Sequence, residues 1–298
     1  MRAAVINTFG GPDVVEVIET ELPEPAAGQV RIKVRAAALN PVDAGVRQGV
    51  FGGAGERLGL GWDVAGTVDA VGAEAGWSVG DEVVGLAYGV TKSLGTHADY
   101  TVLDAQAVAA APRTADPVHA ATLPLNALTA DQALDLLSLE SGQSLLITGA
   151  AGAVGGYAIQ LAARRGLVVT ALASPSDEDF VRALGATHFI PRTGPLPSGT
   201  VDGVLDAAVL GAAALASVRD GGTYTGVIPG AEPSPERGIR VEAVEVGADG
   251  TRLAELAKLV DEGVLTLRVA QTFPLSEASA AHTRLQEGGA RGRIVLVP

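Results

Sequence analysis

Three glycines that follow an apolar run are the residues of this chain best suited to bind a phosphate. The segment SLLITGAAGAVGGYAIQLAARRG, from Ser144, spaces Gly149, Gly152 and Gly155 three residues apart. A strand, a glycine turn and a helix let the backbone approach a pyrophosphate and direct helix N–H groups at it. A tight turn between a buried strand and a helix is the structural alternative. The alternating elements that follow favour the phosphate cradle, with these candidate residues: Gly149, Ala151, Gly152, Ala153 and Val154.

Three aromatic residues are candidates for the wall of a pocket that takes a flat ligand. Only 4% of the chain is aromatic, and Phe51, Trp62 and Tyr88 lie within one 38-residue stretch of it. Aromatic side chains line ligand pockets, although each of these can instead be part of a core. We predict that they contact the substrate.

Composition excludes several classes of function. The formal net charge is −13, which opposes binding to nucleic acid or to anionic lipid, and no apolar run reaches the ~20 residues of a membrane span. The start of the chain lacks a signal-peptide pattern, so a cytoplasmic location is expected. Cysteine is absent, which excludes disulfides and thiolate chemistry. The four histidines are scattered without metal-ligand spacing: His97, His119, His188 and His282.

The elements that must position these residues change character along the chain. The first hundred residues are β-rich, as in QVRIKVRAAAL from Gln29, where apolar and polar residues alternate. From Pro117 to Leu137 the pattern is helical, and strand-like and helix-like runs then alternate up to about Gly263. Such alternation predicts an α/β fold with a parallel sheet. The tail from Thr266 returns to strand, helix and strand.

Eight motifs in register resemble one family across essentially the whole chain. The family is the zinc-independent, zeta-crystallin-like type of medium-chain dehydrogenase/reductase, the NADPH:quinone oxidoreductases. The motifs are GGPDVVEV, ALNPVDAGVRQG, GWDVAGTVDAVG, VGDEVVG, LPLNALTADQAL, GAAGAVGGYAIQLA, ALGATHFI and GGARGRIVLVP. The resemblance implies a β-rich GroES-like catalytic domain in two pieces, 1–118 and 264–298. It implies a Rossmann domain, a doubly wound parallel sheet, over residues 119–263.

The resemblance also assigns residues near the nicotinamide. Asn40 would donate a hydrogen bond near the ribose or the acceptor oxygen, which makes it the catalytic candidate, with Pro41 beside it. Capping of a turn is its alternative role. Thr129 matches the threonine that faces the nicotinamide, whereas a helix-interior threonine can simply bond its own backbone. The end of a Rossmann strand supplies three more contacts: Val227, Ile228 and Pro229.

The residues at the zinc-ligand positions of related alcohol dehydrogenases predict a metal-free site. Asn40-Pro41-Val42-Asp43 stands where those enzymes have their first cysteine, and Gly61-Trp62-Asp63 stands where they have Gly-His-Glu. Two carboxylates without a third partner are weak grounds for a cation site. We expect Asp43 to form a salt bridge instead, for instance with Arg47.

The predicted reaction is hydride transfer from NADPH to a quinone or an α,β-unsaturated carbonyl. Such acceptors take hydride at carbon while charge delocalises onto oxygen, so no Lewis acid is required. A dedicated enoyl reductase of a biosynthetic pathway is the alternative within the same fold. A non-catalytic role, as a structural NADPH-binding or nucleic-acid-binding protein, is the alternative from a different class.

The preference for NADPH over NADH follows from the end of the second Rossmann strand. NAD-specific sites place an acidic residue there, but this strand ends at Ser174, which can bond a 2′-phosphate. Arg192 supplies a fixed cation after the third strand. The acidic run at 177–179 opposes this preference, although it also suits a helix N-terminus.

A homodimer is expected through the sixth strand of the parallel sheet. The segment IRVEAVEV, from Ile239 to Val246, alternates strictly, as a strand does. Relatives commonly pair this strand across a two-fold axis, which satisfies an otherwise bare sheet edge.

Overall fold

The computed structural model describes residues 1–51 and 57–298 of the chain. These residues form two compact units. The β-rich unit contains residues 1–125 and 247–298, and the parallel-sheet unit contains residues 126–246. The two units confirm the predicted fold class, while the domain boundaries at 118/119 and 263/264 stay predictions.

The helices and strands of the described residues are as follows. The α-helices are α1 (Pro41–Gln48), α2 (Pro117–Ala120), α3 (Pro124–Leu137), α4 (Ala153–Arg164), α5 (Glu178–Ala183), α6 (Ala212–Leu215), α7 (Gly250–Asp261) and α8 (Ala278–Glu287). The strands are β1 (Arg2–Ile6), β2 (Glu16–Glu19), β3 (Gln29–Leu39), β4 (Leu58–Gly59), β5 (Asp63–Val71), β6 (Glu82–Leu86), β7 (Tyr100–Asp104), β8 (Val108–Ala110), β9 (Ser144–Thr148), β10 (Val168–Ala173), β11 (His188–Pro191), β12 (Val201–Asp206), β13 (Val218–Gly226), β14 (Arg240–Ala243), β15 (Val269–Pro274) and β16 (Arg293–Val297).

The parallel-sheet unit contains one six-stranded sheet in the order β11-β10-β9-β12-β13-β14. All of its pairings are parallel. Numbered within the unit, this is the order 3-2-1-4-5-6, which reverses between β9 and β12. Ligands of such sheets bind outside the carboxyl ends of the strands at that reversal, where the glycine turn after β9 lies.

The β-rich unit is built around β3, which pairs with strands from both pieces of the unit. β3 is antiparallel to β5, β7 and β16, and β16 comes from the last residues of the chain. The larger sheet has the order β15-β16-β3-β5-β6-β8, and a smaller sheet has the order β2-β1-β4. The long alternating run of β3 is therefore the element that joins residues from the two ends of the sequence.

Three predicted elements differ from the observed ones. The helical pattern at 117–137 is divided into α2 and α3, because Pro124 has no N–H to continue a helix and instead starts a new one. Among the alternating runs, VLGAAALASVR at 209–219 has a helical pattern but forms only the single turn α6, since β13 already begins at Val218. The expected strand at 239–246 is only β14, because its partner β13 ends at Gly226, opposite Ala243.

Separate apolar clusters stabilise each unit. One cluster of the β-rich unit includes Leu39, Val46 and Leu296, and so connects β3, α1 and β16. The cluster of the parallel-sheet unit includes Leu146 and Val204 of the central strands. Among residues 1–51 and 57–298, no helix has both the length and the apolar character that a membrane crossing requires.

Candidate active site

The glycine turn has the local geometry of a phosphate-binding loop. Gly149 has a φ of +57°, in the left-handed region that favours glycine. A Cβ on Gly155 would lie 2.3 Å from the Gly149 carbonyl oxygen, so only glycine lets α4 pack this closely against the turn. Gly152 is the N-cap of α4, and its N–H bonds the Gly149 carbonyl at 2.8 Å. The N–H groups of Ala153 and Val154 therefore lie in the first turn of α4, where helix N–H groups have no partner within the helix.

Space at Gly152 fits a group that approaches the backbone closely. A Cβ there would meet only the Gly149 carbonyl oxygen, at 3.0 Å, among the described atoms within 4 Å. As far as the described residues extend, the space for a Cβ at this glycine is otherwise open, as a dinucleotide pyrophosphate requires. The residues of the loop thus fit the predicted cofactor, and their assignment stays a prediction.

Ser174 and Arg192 lie side by side at the ends of two adjacent strands. Ala173 of β10 pairs with Pro191 of β11, and the Arg192 N–H donates to the Ala173 carbonyl at 2.7 Å. Ser174 follows Ala173 directly, and the Arg192 side chain is exposed. Within the described residues, its guanidinium forms no ion pair. A serine and an exposed arginine without an ion pair, at the ends of adjacent strands, suit a phosphate ester on the cofactor ribose.

Exposed apolar residues follow both β12 and β13, whereas the sequence analysis singled out only those after β13. Ile228 is 46% exposed just after β13, and Val209 and Leu210 are 44% and 39% exposed just after β12. Val209 has a φ of +56°, an uncommon conformation for a β-branched residue. Strain and exposed apolar surface at the carboxyl edge of a parallel sheet indicate a ligand surface. Val227 is half-buried and Pro229 is exposed in the same turn.

A buried polar network supports the turns at this edge. The Asp206 carboxylate at the end of β12 accepts hydrogen bonds from the hydroxyls of Thr148 and Tyr224, at 2.5 and 2.7 Å, and from the Gly211 N–H at 2.8 Å. The Thr148 hydroxyl accepts from the Ala208 N–H at 2.9 Å. Burial, and then the bond to Asp206, raise the pKa of Tyr224, so its hydroxyl keeps its proton. The network holds the ends of β9, β12 and β13 together.

In the β-rich unit, Asn40 joins a buried carboxylate to an arginine. Its side-chain amide donates to Asp63 at 2.5 Å, and its carbonyl oxygen accepts from Arg293 at 3.3 Å. The second Asp63 oxygen accepts from the Leu125 N–H at 2.6 Å. Asp63 is fully buried, and this burial raises its pKa to about 7, against the effect of the two hydrogen bonds. Asn40 is thereby fixed in one orientation, just before α1, of which Pro41 is the first residue.

The expected Asp43–Arg47 salt bridge is wrong. The Asp43 carboxylate instead accepts from the backbone N–H groups of Asn40, the N-cap of α1, and of Gly61, between β4 and β5, at 2.8 and 2.7 Å. The Arg47 guanidinium donates to the Gly10 carbonyl at 2.7 Å. The spacing of four residues on a helix suggested a pair, but the capping position of Asp43 directs its carboxylate at backbone N–H groups.

The carboxylates of this region are poorly arranged for a metal ion. All four oxygens of Asp43 and Asp63 accept hydrogen bonds from N–H donors. No group of three or more histidine, cysteine or acidic side chains is placed to hold a metal ion, as far as the described residues extend. Both carboxylates are therefore used as acceptors of hydrogen bonds within the protein.

Trp62 and Tyr88, two of the predicted pocket residues, lie together with a lysine. Their rings meet edge-on with centroids 5.6 Å apart. Lys92 places its Nζ 4.2 Å from the centre of the Trp62 ring and donates to the Ala87 carbonyl at 2.8 Å. Trp62 is buried, whereas Tyr88 is 48% exposed. Sequence reasoning missed Lys92, because a lysine in a polar loop usually indicates a solvated surface.

Two other predicted residues are Phe51, in the β-rich unit, and Thr129, in the parallel-sheet unit. Phe51 is 45% exposed, and its ring packs over Gly45 of α1, where an added Cβ would lie 2.9 Å from it. Thr129 is buried within α3, in the parallel-sheet unit. Their contacts with a cofactor or a substrate stay predictions.

Comparison with known proteins gives consistent matches along the chain. A family profile described as "Alcohol dehydrogenase GroES-like domain" matches residues 26–113, and one described as "Zinc-binding dehydrogenase" matches residues 178–296. A protein of Arabidopsis thaliana named NADPH-dependent alkenal/one oxidoreductase is 34% identical, over all of this chain and 80% of its own length.

Two bacterial proteins match at similar levels. The quinone oxidoreductase of Pseudomonas aeruginosa is 30% identical over 97% of both chains. The solved structure of the quinone oxidoreductase from Coxiella burnetii superposes with a TM-score of 0.88 at 29% identity, over 100% of this chain and 99% of that one. Sequence and fold thus agree over the full length.

Proposed function

The chain belongs to the medium-chain dehydrogenases/reductases of the quinone oxidoreductase, zeta-crystallin-like type, and on this premise we propose that it transfers a hydride from NADPH to a quinone or an α,β-unsaturated carbonyl. When bound, the dinucleotide supplies the hydride, and the protein supplies binding, orientation and the handling of protons. The chemistry requires no metal ion, in agreement with the occupied carboxylates near Asn40.

The observation that supports NADPH most strongly is the Ser174–Arg192 pair. The backbone of Arg192 is placed by a hydrogen bond to Ala173, which directly precedes Ser174, and its side chain is exposed. NAD-specific sites have a carboxylate at the end of this strand, which would repel a 2′-phosphate. Steady-state kinetics with both cofactors tests this preference. Arg192→Ala is expected to raise the KM for NADPH ~10-fold or more, equivalent to about 1.4 kcal/mol, with little change for NADH.

The acceptor class is supported by the relatives and by the aromatic pair. The Arabidopsis and Pseudomonas relatives are named for alkenal or enone reduction and for quinone reduction. In this chain the exposed ring of Tyr88, in edge-on contact with the buried Trp62, provides an aromatic surface. A flat, electron-poor acceptor fits such a surface, because its ring or conjugated chain can pack against aromatic faces.

An acceptor screen tests the proposed function directly. The protein is mixed with NADPH and a panel that contains benzoquinones, 2-cyclohexenone, acrolein and a crotonyl thioester, and absorbance at the nicotinamide band is followed. Oxidation with quinones or simple enones is the expected result. Turnover with the thioester alone would identify a dedicated enoyl reductase, and NADPH binding without turnover would identify a non-catalytic protein.

Two further parts of the proposal concern the assembly and the location of the protein. We propose a homodimer that forms through the edge of the parallel sheet at residues 239–246, where β14 has one neighbour within the described residues.

A cytoplasmic location remains the prediction from the sequence, and cell fractionation tests it.

A further inference from the structure

We propose that Lys92 is the acid of the reaction: its ammonium group binds the carbonyl oxygen of the acceptor and gives a proton to the reduced product. The inference rests on the proposed function and adds a residue role to it. Its basis is the position of Lys92 beside the aromatic pair of Trp62 and Tyr88, in the same unit as Asn40.

The ammonium group is held in place with hydrogen-bonding capacity to spare. Nζ donates to the Ala87 carbonyl at 2.8 Å and lies 4.2 Å from the centre of the Trp62 ring. Within the described part of the chain, Nζ has no other hydrogen-bond acceptor, so two of its three N–H groups are available. A lysine anchored by one bond and one aromatic face can present the other N–H groups to a ligand.

The surroundings make this lysine a better acid than an exposed one. Burial lowers its pKa to about 8, while Asp43 and Asp63 act in the opposite direction. His97 also faces this group, because the lysine charge contributes to the lowered pKa of that buried histidine. An ammonium whose pKa lies near neutrality keeps its proton at pH 7 and gives it up readily in a transition state.

The proposed step balances for an enone acceptor. The β-carbon receives hydride from the bound dinucleotide, which is oxidised, and the electron pair of the C=C bond moves towards the carbonyl oxygen. One N–H bond of Lys92 breaks, and its proton passes to the resulting enolate. The neutral amine then takes a proton from water. For a quinone the same proton converts the hydroquinone monoanion into the hydroquinone.

Asp63 is the other buried acid of this region, and its contacts make it a positioning residue. Both of its oxygens accept hydrogen bonds, from Asn40 and from the Leu125 N–H. Its negative charge, when present, stabilises the Lys92 ammonium. No part of its carboxylate is exposed, whereas Lys92 is half-buried.

The kinetic test compares Lys92→Met and Lys92→Arg with the wild type, using 2-cyclohexenone at saturating NADPH. We expect Lys92→Met to lower kcat ~100-fold or more, as is usual for loss of a general acid. Lys92→Arg keeps the charge but cannot release a proton near neutral pH, so its kcat should stay within ~10-fold of the methionine variant. Lys258→Met, which removes an exposed lysine of α7, is the matched control and should behave as the wild type.

The choice of acceptor adds a second readout. A chlorinated quinone, whose reduced form is a weak base, needs little help from an acid, so Lys92→Met should lower its kcat less than ~5-fold. The wild-type kcat for the enone should fall as pH rises through about 8, where the ammonium loses its proton. That fall should be absent from the Lys92→Met profile.

A spectroscopic readout tests the geometry without turnover. In a Trp77→Phe background, Trp62 is the only remaining tryptophan. Because the ammonium lies over its ring, its fluorescence should change with a midpoint near pH 8 in the protein without cofactor. The same titration on Lys92→Met should lack this transition and retain any contribution from Asp63.

The outcomes separate this inference from the proposed function. A wild type that oxidises no acceptor overturns both. An active wild type with an equally active Lys92→Met variant overturns the role of Lys92 alone. Full activity of Lys92→Arg would overturn proton donation, because charge without a transferable proton would then suffice.

Discussion

The N-cap residue of α4 offers the sharpest single-residue test of the phosphate loop. Gly152 has extended backbone dihedrals, and aspartate is a favourable N-cap residue, so Gly152→Asp should fold. Its carboxylate would occupy the open space that the pyrophosphate needs. We expect NADPH affinity to fall at least ~100-fold, or about 2.8 kcal/mol, measured by fluorescence titration.

A neutral variant separates charge from size at the same residue. Gly152→Asn has nearly the same shape as Gly152→Asp and should lose less affinity, because it adds no repulsion of the pyrophosphate. Both side chains approach the Gly149 carbonyl, so any packing effect is common to the two variants. Unchanged NADPH affinity in a folded Gly152→Asp protein would contradict the assignment of the loop.

Tyr224 tests the buried network at the carboxyl edge of the parallel sheet. Tyr224→Phe removes one of the hydrogen bonds to the Asp206 carboxylate, a bond of 2.7 Å between buried groups. Hydrogen bonds to charged groups contribute ~1.5–3 kcal/mol, and we expect the free energy of unfolding to fall by about that amount. Urea unfolding monitored by circular dichroism measures the change.

The same strand supplies the control for Tyr224. The hydroxyl of Thr225 is buried and has no hydrogen-bond partner within the described residues. Thr225→Val should therefore leave the free energy of unfolding unchanged or raise it, since it removes an unsatisfied polar group. Equal destabilisation by both variants would show that the Asp206 bond contributes nothing of its own.

Residues differ in how far their roles can be predicted from sequence. The glycine loop is predictable, because its spacing and its flanking elements are local. The Asn40 network is not, since Arg293 lies 253 residues away and no local pattern connects them. Lys92 was missed for a related reason, because its burial depends on packing against Trp62, which the loop sequence does not reveal.

The first and last residues of a strand or helix can be predicted where its own sequence determines them. β3 matches its alternating run, from Gln29 to Leu39, because one face of that strand is buried along most of its length. β14 is shorter than its alternating run, because the partner strand β13 ends first. The length of a strand in a sheet thus depends on both paired strands, so the sequence pattern of one strand does not determine it.

Helix α8 and its neighbours contain an acid-sensitive cluster. Burial, together with the nearby His97 and Arg47, lowers the pKa of His282 to about 3. The folded protein therefore binds fewer protons at this site than the unfolded chain, whose histidine pKa is ~6.5. His282 therefore does not change the free energy of unfolding above pH 6.5, and it lowers that free energy increasingly as pH falls from 6.5 towards 3.

His282→Gln should remove this sensitivity, because glutamine does not titrate. Between pH 7.5 and 5 the wild type should lose ~2 kcal/mol more of its free energy of unfolding than the variant does. The raised pKa of Asp63 has the opposite effect, because it favours the folded state as pH falls. This effect is present in both proteins, so the difference between their free energies of unfolding isolates the histidine. Parallel pH dependence of the two proteins, measured by urea unfolding, would contradict the effect.

At the scale of the whole molecule, the edge of the parallel sheet should determine the oligomeric state. The Val244 N–H bonds the Gly226 carbonyl of β13, and N–H direction alternates along a strand, so the Ala243 N–H points to the open side. Proline is tolerated at strand edges but blocks pairing on that side. We expect Ala243→Pro to be monomeric at micromolar concentration, by light scattering, with NADPH binding retained.

The control at this position is Ala243→Val, which keeps the N–H and has high strand propensity. It should form the same dimer as the wild type. A wild type that is already monomeric at this concentration would rule out pairing through residues 239–246, and a dimeric Ala243→Pro protein would place the interface elsewhere.

The division of the β-rich unit between 1–125 and 247–298 has a consequence for synthesis on the ribosome. The parallel-sheet unit is contiguous, so all of its strands have been translated before the β-rich unit is complete. Although β3 is made early and its neighbours β5 and β7 follow soon after, its residues 37–39, which pair with β16, stay unpaired until that strand leaves the exit tunnel. Arg293 arrives with that strand, so the hydrogen bond that it donates to Asn40 can form only after residue 293 has been translated. The β-rich unit, whose first piece is translated first, is thus the last to fold completely. A nascent chain stalled before residue 293 should expose the unpaired residues 37–39 of β3 to chaperones and proteases.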